Sequence, residues 1–271
     1  MIAHRTSASP RVDLAGVEID PCSFDQAVEA IVDHARTRGE PAYVVTPNAQ
    51  HVVLVHSSRR FREIYNAAWL SVADGVPLVW AAKLLGMPLP ERVAGVDLMV
   101  AVCEAAAREG LRVFLLGGSP GSAAQAAEVL KQRFPGLVIA GVRCPRVGFE
   151  KHLQQRQKTI EAIRRAAPDI LFVGLGCPKQ EYWMLDTSEL VRVPVSLGVG
   201  GSFEFVCGRV RRAPVWMQKA GLEWFFRILM EPGRLWKRYA EAIPRFIRLV
   251  MHQFARTRAR RVLALMGRQP G

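Results

Sequence analysis

The sequence predicts an α/β fold: a Rossmann-like, mostly parallel sheet with helices on both faces, followed by a basic, amphipathic helical C-terminal appendage. Short apolar runs rich in β-branched residues alternate with longer segments of helical periodicity as far as residue 207. Glycine-rich or polar turns follow most of these runs. From residue 208 onward the composition becomes strongly basic. We therefore expect an α/β body at 1–207 and an appendage at 208–271.

The first helix begins at Ser23, which fits a capping box with Gln26, and it ends before Gly39. Asp97 is expected to cap a later helix that ends at Gly110. The other predicted helices cover 49–56, 58–68, 76–85, 121–134, 150–166 and 178–186. The predicted strands cover 42–45, 69–73, 112–116, 137–140, 170–173 and 195–197. Because strands alternate with helices, the sheet is expected to be parallel.

Polar or glycine-rich segments follow five of the predicted strands. They are 46–48, 74–75, 117–119, 174–180 and 198–201. In open parallel sheets, ligands bind outside the carboxyl ends of the strands. We therefore expect these segments to converge on one cleft.

The glycine turns have two interpretations, contact with a nucleotide or close packing of the backbone. In the segment 115–121, a strand leads through a glycine turn into a helix whose N-terminus would favour a phosphate. This segment is not GxGxxG and lacks the lysine of a P-loop, so a plain tight turn remains an alternative. The candidate contacts in these turns are Gly117, Gly118, Ser119, Gly174, Gly176, Gln180, Gly201 and Glu204.

Asp74 stands between an apolar strand and Gly75, and it also has two interpretations. It could cap the helix that follows. Alternatively, it could be a general base at the floor of the cleft, which accepts a proton from a sugar hydroxyl as that hydroxyl attacks an anomeric carbon. Thr46 and Asn48 could hydrogen-bond a sugar, although Thr-Pro-Asn is also ordinary turn chemistry.

Candidate metal ligands are sparse in the sequence. There is no Asp-x-Asp pair of the kind that holds a divalent metal on a sugar-nucleotide diphosphate, and the six histidines are dispersed. The five cysteines, Cys22, Cys103, Cys144, Cys177 and Cys207, form no CxxC and are expected to be reduced thiols. We expect no metal and no cofactor, so that arginines and helix dipoles stabilise a leaving diphosphate.

The positive charge is concentrated in the appendage. The formal net charge of the chain is +13, of which residues 208–271 supply +12, from fifteen Lys/Arg and three Asp/Glu. This asymmetry indicates a polyanionic partner, namely anionic lipid, phosphates or nucleic acid. The first ten residues lack the apolar core of a secretory signal, and no stretch reaches about 18–20 uninterrupted apolar residues. The sequence thus predicts a soluble or peripheral protein made in the cytosol.

Aromatic residues are interleaved with arginines in the first part of the appendage, and Pro232 and Pro244 are expected to break it into short helices. An apolar stripe follows at helical spacing, made of Ile243, Phe246, Ile247, Val250, Met251 and Phe254. A basic amphipathic helix with interfacial aromatics suits an anionic membrane surface. The alternatives are packing of the stripe on the body, and nucleic-acid binding.

Eight segments between about Tyr43 and Arg238 form an ordered set of motifs. They are 46–48, 73–80 (Ala-Asp-Gly-Val-Pro-Leu-Val-Trp), 91–98, 116–118, 174–181, 198–203, 212–214 and 221–224 followed by Arg227. In order and spacing, this set resembles the WecG/TagA/CpsF family of bacterial glycosyltransferases. No single motif decides the resemblance, and its specificity comes from their arrangement over most of the chain.

The resemblance implies an inverting, metal-independent transfer of an N-acetylmannosamine-type or glucose-type sugar from a UDP-sugar. The acceptor would be a saccharide on undecaprenyl diphosphate, in the synthesis of teichoic acid, capsule or exopolysaccharide. Asp74 falls at the family's proposed base position, and Thr46, Asn48, Arg92 and Gln180 fall at positions expected to line the pocket.

The family's appendage binds the membrane and brings arginines to the active site. The resemblance therefore implies a peripheral protein on the cytoplasmic face of the plasma membrane, with no nucleic-acid partner; its oligomeric state is left open. The candidates for contact with diphosphate or lipid are Arg211, Arg212, Arg227, Arg234 and Arg238.

The sequence departs from the family pattern at Glu204, where many relatives carry Asp, and in a longer, more arginine-rich tail beyond Arg238. Two other classes of protein remain as alternatives. A nicotinamide-dependent oxidoreductase is disfavoured, because GxGxxG does not follow the first strand. A non-enzymatic nucleic-acid binder would use the basic tail but would leave the polar strand ends without a role.

Overall fold

The computed structural model describes residues 10–230 and 232–266; the side chains of residues 219, 234, 235, 238 and 260–266 lie outside this description. The described strands are β1 (Val12–Leu14), β2 (Val17–Ile19), β3 (Ala42–Val45), β4 (Leu70–Ser71), β5 (Arg112–Gly117), β6 (Val138–Arg143), β7 (Ile170–Gly174) and β8 (Val195–Gly198). Strands β3 to β8 form one parallel sheet in the order β4-β3-β8-β7-β5-β6, and β1 pairs with β2 in an antiparallel hairpin. The carboxyl ends of all six parallel strands therefore lie along one edge of the sheet.

The helices lie on both faces of the sheet, as the alternation of elements predicts. They are α1 (Phe24–Arg36), α2 (Ala49–Ser57), α3 (Arg59–Ala67), α4 (Val76–Leu84), α5 (Gly95–Glu109), α6 (Ser122–Arg133), α7 (Leu153–Ala166), α8 (Lys179–Val191), α9 (Ser202–Val206), α10 (Val215–Lys219), α11 (Glu223–Met230) and α12 (Pro232–Met266). A single 3₁₀ turn, Phe149–Lys151, precedes α7. The predicted α/β class, with a helical C-terminal appendage, is confirmed.

The hydrophobic core is divided by the sheet. In β5, Val113 and Leu115 pack with α1, α5 and α6, whereas Phe114 and Leu116 pack with the elements of the other face, among them α2, α3 and α8. Successive strand residues point to opposite faces, so a strand covered by helices on both sides must be apolar throughout. This explains why the predicted strands are continuous apolar runs rather than alternating ones.

Local signals predicted several helix ends correctly. Ser23 accepts a hydrogen bond from the Gln26 backbone N–H (3.2 Å), and the Gln26 side chain accepts one from the Ser23 backbone N–H (2.8 Å), which completes the predicted capping box. Gly110 ends α5 in the left-handed region with φ of 66°. The prediction that Asp97 caps α5 is wrong. The helix begins two residues earlier, at Gly95, and the Asp97 carboxylate bonds Arg212 instead.

The prediction that Pro244 breaks the appendage is also wrong, because α12 continues through it. A proline inside a helix removes one backbone hydrogen bond and costs roughly 3 kcal/mol. Burial of Phe246 and Val250 in the core beside α2 offsets that cost. Pro232, in contrast, begins α12, where a proline is well tolerated.

The hairpin β1–β2 was not predicted, because its strands have only three residues each. The hairpin is held by the C-terminal helix. The Gln253 side chain accepts a hydrogen bond from the Ala15 N–H (2.7 Å) and donates one to the Asp13 carbonyl (2.8 Å). His56 Nε2 lies 2.7 Å from the Ala15 carbonyl oxygen. Helices α2 and α12 thus join the hairpin to the body.

The apolar stripe of α12 has two sides. Phe246 and Val250 are buried against the body, so packing, one of the alternatives, accounts for that side. Ile247 and Met251 remain 53% and 49% exposed. Within the described residues, no helix is both long enough and apolar enough to span a bilayer.

Candidate active site

The polar turns converge at the carboxyl edge of the sheet, as their positions predict. The Asp74 N–H donates to the Pro47 carbonyl (2.9 Å), and the Thr46 hydroxyl lies 3.4 Å from the Gly198 carbonyl oxygen. The Gly118 N–H donates to the Gly174 carbonyl (2.8 Å). A continuous line of contacts therefore joins the ends of β3, β8, β7 and β5.

Asp74 lies at the N-terminus of α5, although it is far from that helix in sequence. The Gly95 backbone N–H, in the first turn of α5, donates a hydrogen bond to its carboxylate. A Cβ at Gly95 would lie 3.4 Å from the Thr46 hydroxyl oxygen and 3.5 Å from Asp74 Oδ2. Gly95 therefore lies where these two side chains meet. Thr46 and Asp74, both predicted from sequence, are brought together.

The environment of Asp74 favours a carboxyl group that exchanges protons near neutrality. Burial raises the pKa of Asp74 to about 7, although Arg92, the Gly95 N–H and Arg227 act in the opposite direction and Glu223 adds to the rise. The residue as a whole is half-buried. A general base works best with a pKa near the working pH.

Asn48 has a structural function at the start of α2 that the sequence analysis did not predict. Its side chain caps α2 by accepting the Gln50 backbone N–H (3.0 Å). The Asn48 backbone N–H in turn donates to His51 Nδ1 (3.0 Å). The structure thus places Asn48 beside Asp74 and Gly75, with its side-chain oxygen already engaged in the cap.

An alternating network of two arginines and two carboxylates joins the appendage to the body beside Asp74. From the body, Arg92 donates to Glu223 (2.9 Å) and lies 4.0 Å from Asp97. From the appendage, Arg212 makes a two-pronged contact with Asp97, one arm at 2.6 Å, and lies 3.5 Å from Glu223. Glu223 and Asp97 were not predicted as site residues. Only the Gly-Leu-Glu-Trp motif could have pointed to Glu223.

The other predicted arginines have different positions. Arg227 stacks over the Phe205 ring at 5.3 Å and is close enough to lower the pKa of Asp74. Arg211 is exposed at the surface. Arg234 and Arg238 lie in α12, but their side chains lie outside the described part of the chain.

Three of the predicted glycines are required for close packing. A Cβ at Gly117, where φ is +102°, would come within 2.6 Å of the Gly174 carbonyl oxygen, and a Cβ at Gly174 would come within 2.6 Å of the Phe203 ring. At Gly118 it would come within 2.4 Å of the Ser122 hydroxyl oxygen. Gly176 differs, because no described atom lies within 4 Å of a Cβ placed there. Gly176 thus borders open space, as a ligand contact would need. Gly201 is also exposed, and a Cβ there would meet only Glu204 Oε2, at 3.7 Å, among the described atoms.

Glu204, a residue of α9, contacts the turn that follows β5. Its carboxylate accepts the Ser119 backbone N–H (2.7 Å) and the Ser122 hydroxyl (3.0 Å). Burial alone would raise the pKa of Glu204, but the hydrogen bonds donated by Ser119, Ser122 and its own N–H lower it below the ordinary value. The Ser119 amide, a predicted phosphate contact, is thus occupied by a carboxylate.

Arg209 was not among the predicted contacts, yet its side chain contacts the same turn. It donates to the Pro120 carbonyl (2.8 Å) and the Gln125 side chain (2.9 Å), and it lies 3.3 Å from the Ser119 hydroxyl. Its place at the start of the basic segment was the only signal in the sequence.

Gln180 is buried and braces the last glycine turn, which also carries Gly201. Its side chain accepts the Gly200 N–H (2.9 Å) and donates to Glu181 (2.9 Å). Below this turn, ligand-type atoms of His51, Cys177 and Glu181 lie within 4.8 Å of one another. Because His51 Nδ1 accepts the Asn48 N–H, the proton of the neutral ring is on Nε2, the nitrogen that faces Glu181 at 3.8 Å. Metal-bound histidines have the opposite arrangement, so this cluster does not fit a metal.

An open parallel sheet, with a carboxylate of raised pKa and arginines at its carboxyl edge, is typical of an α/β enzyme whose site lies at that edge. The chain belongs to the glycosyl transferase WecG/TagA/CpsF family, whose sequence pattern matches residues 12–260. It is a glycosyltransferase, and the oxidoreductase alternative has no support.

Two relatives illustrate the similarity. An N-acetylglucosaminyldiphosphoundecaprenol N-acetyl-β-D-mannosaminyltransferase of Bacillus spizizenii is 31% identical over 231 residues, 84% of this chain and 87% of the relative. A Staphylococcus aureus (strain MW2) protein of the same name is 32% identical over 251 residues, 91% of this chain and 94% of the relative.

Proposed function

We propose that the protein transfers a sugar from a UDP-sugar to a saccharide on undecaprenyl diphosphate, with inversion and without a metal, in the synthesis of a cell-surface polysaccharide. The observation that carries the proposal is the Asp74 carboxylate, whose pKa is raised to about 7 at the carboxyl edge of the sheet, beside Arg92. The names of the relatives favour N-acetylmannosamine as the sugar and an N-acetylglucosaminyl lipid as the acceptor.

In the proposed reaction, the ionised Asp74 carboxylate accepts the proton of the acceptor hydroxyl. The oxygen of that hydroxyl forms a bond to the anomeric carbon of the donor, while the bond from this carbon to the UDP oxygen breaks on the opposite side. UDP leaves with the electron pair. The hydrogen bond from the Gly95 N–H holds the carboxylate in place but leaves it oxygen lone pairs for the hydroxyl.

The developing charge on UDP, or the diphosphate of the lipid, would be stabilised by Arg92, Arg212 and Arg227. Guanidinium groups suit this task because they remain charged and bind phosphate oxygens in two-pronged contacts. Arg92 and Arg212 are already paired with Glu223 and Asp97. A bound diphosphate would thus take over contacts that carboxylates make in the free protein.

For the nucleotide, we propose the turns after β5 and β7, where Gly176 borders open space. The Glu204 carboxylate occupies the Ser119 amide and would repel a phosphate at that point. Glu204 is better suited to accept hydrogen bonds from ribose or sugar hydroxyls, and Arg209 supplies a cation on the same turn.

A lipid-linked acceptor requires the protein to work at a membrane. We propose that the protein is peripheral on the cytoplasmic face of the plasma membrane, where the basic appendage meets anionic lipid. Each Lys or Arg near such a surface contributes on the order of 1 kcal/mol, and residues 208–271 carry fifteen of them.

The test is a UDP-release assay with several UDP-sugars, an N-acetylglucosaminyl diphospholipid acceptor and EDTA. We expect acceptor-dependent release with at least one donor, and a loss of roughly 100-fold or more in Asp74→Asn. The matched control is Asp25→Asn, which removes an exposed carboxylate from α1. Release that requires a metal, or that is equal in wild type and Asp74→Asn, would refute the mechanism.

A further inference from the structure

Helix α4 exposes apolar side chains that the transfer reaction does not explain. It begins within the motif 73–80, two residues after Asp74, and continues to Leu84. Val76, Trp80 and Leu84 follow one another at intervals of four residues and so lie along one face of this helix. Trp80 is 58% exposed and Leu84 is 49% exposed. Two large apolar side chains of the helix that follows the proposed base thus point outward from the body.

Two other tryptophans are exposed to an extent similar to Trp80. Of the six in the chain, Trp80, Trp216 and Trp236 are 58%, 64% and 62% exposed, whereas Trp69 and Trp183 are buried. Trp80 lies in the body, whereas Trp216 and Trp236 lie in α10 and α12 of the appendage. Tryptophan is enriched where a protein meets the headgroup region of a bilayer, because its ring is apolar and its N–H is polar.

Helix α4 adjoins the appendage directly. A Cβ at Gly221, in the turn between α10 and α11, would come within 2.8 Å of the Val76 side chain. On either side of that turn, the appendage exposes further large apolar side chains, namely Val215, Phe225, Leu229 and Met230. The exposed face of α4 therefore starts where the exposed apolar part of the appendage lies.

The charge around these residues is complementary to anionic lipid. Lys83 of α4 is exposed, as are Arg211 and Lys237 of the appendage. Exposed aromatic and aliphatic side chains interspersed with Lys and Arg are typical of surfaces that lie in a membrane interface. A protein partner would not require this excess of positive charge.

We propose that the exposed face of α4, made of Trp80 and Leu84, is part of the membrane-contact surface, so that the body and the appendage both touch an anionic bilayer. The inference rests on the proposed function for the presence of a membrane. It adds that Asp74 is held at the lipid interface by the helix that follows it, close to where the diphosphate of a lipid-linked acceptor lies.

The first test measures sedimentation of the full chain with vesicles of equal parts phosphatidylcholine and phosphatidylglycerol, without donor or acceptor. The double variant W80S/L84S should bind about tenfold more weakly, because it removes two apolar side chains from the interface. The matched control is V147S/L153S, which changes residues that are 90% and 67% exposed and that follow β6, the strand at the opposite end of the sheet from β4; its binding should change less than about twofold. Equal losses in both variants, or a loss in neither, would overturn the proposal.

A second variant preserves the apolar surface and the fold. In Trp80→Phe, quenching of tryptophan fluorescence by brominated phosphatidylcholine should be smaller than in wild type, because one membrane-inserted indole is gone. Undiminished quenching would refute the proposal. Since neither measurement involves sugar transfer, a failure here leaves the transferase reaction standing, and a failure of UDP release leaves this surface standing.

Discussion

At the scale of single residues, the raised pKa of Asp74 predicts the pH dependence of the reaction. Only the ionised carboxylate can accept a proton, so kcat/KM should rise with pH up to about 7 and then level off. Arg92 and Arg227 lower this pKa, and Glu223 raises it. In Glu223→Gln the rising limb of the pH profile should therefore move to lower pH.

Asp97→Asn is the matched control for that shift. Like Glu223→Gln, it removes a carboxylate that bonds Arg212, but it leaves the Glu223 charge in place. Its pH profile should retain the position of the wild-type limb. An unmoved limb in Glu223→Gln would contradict the assigned electrostatic effect.

The raised pKa of Asp74 also predicts a trade-off between stability and activity. The pKa of Asp74 is about 7 in the folded chain against 3.8 for an unperturbed aspartate, so the folded state holds the proton more tightly. The stability from this proton is complete below about pH 4 and is lost as pH rises through about 7. Asp74→Asn should therefore be more stable than wild type at pH 8, by on the order of 1–3 kcal/mol. Urea unfolding at pH 8 and pH 5.5 checks this, and an equal difference at both pH values would contradict it.

Polar residue types next to strand ends pointed to Thr46 and Asp74, because ligands bind outside the carboxyl ends of the strands in an open parallel sheet. Asn48, Gly117 and Gly174 were selected by the same argument, yet the structure gives each a cap or packing function. Asp97 and Arg209 were not selected, since Arg212 and Gln125, the residues that they bond, lie more than 80 residues away in the chain. Glu223 belongs to one of the motifs, but its contact with Arg92 is equally remote in sequence. Local sequence carries no information on such distant pairs.

At the scale of elements, helix α12 provides two neighbouring residues with opposite environments. Phe246 is 5% exposed and packs in the core beside α2, whereas Ile247 is 53% exposed. Phe246→Ala should lower the free energy of unfolding by about 3–5 kcal/mol, because it leaves a cavity. Ile247→Ala should change it by less than about 0.5 kcal/mol. Urea denaturation measures both values, and similar losses would show that α12 does not pack as described.

The elements also show which sequence signals are reliable. Short apolar runs identified the strands of the sheet and helical periodicity identified most helices, since a buried segment must be apolar wherever it faces the core. The hairpin β1–β2 was missed because three-residue strands give no period, and its partners Gln253 and His56 are remote in sequence. Pro244 was given too much weight, since tertiary packing overrides the helix propensity of a single residue.

At the scale of the whole molecule, the proposed active site belongs to both parts of the chain. The body supplies Asp74, Arg92 and Asp97, and the appendage supplies Arg212 and Glu223. Because Glu223 and Arg227 alter the pKa of Asp74, the acidity of the proposed base depends on how the appendage is docked. If the appendage and α4 both meet the bilayer, as we propose, docking on lipid and catalysis would be linked through these contacts.

The sequence by itself determined the α/β class, the contrast in charge between residues 1–207 and 208–271, the family and the edge of the sheet that carries the candidate site. These properties follow from composition, periodicity and local motifs, which each segment carries alone. Only the tertiary structure decided the order of the strands, the ion pairs of Arg92 and Arg212, the engagement of the Ser119 amide by Glu204 and the raised pKa of Asp74. Each of these depends on burial and on distances between residues far apart in the chain, which exist only once the chain has folded.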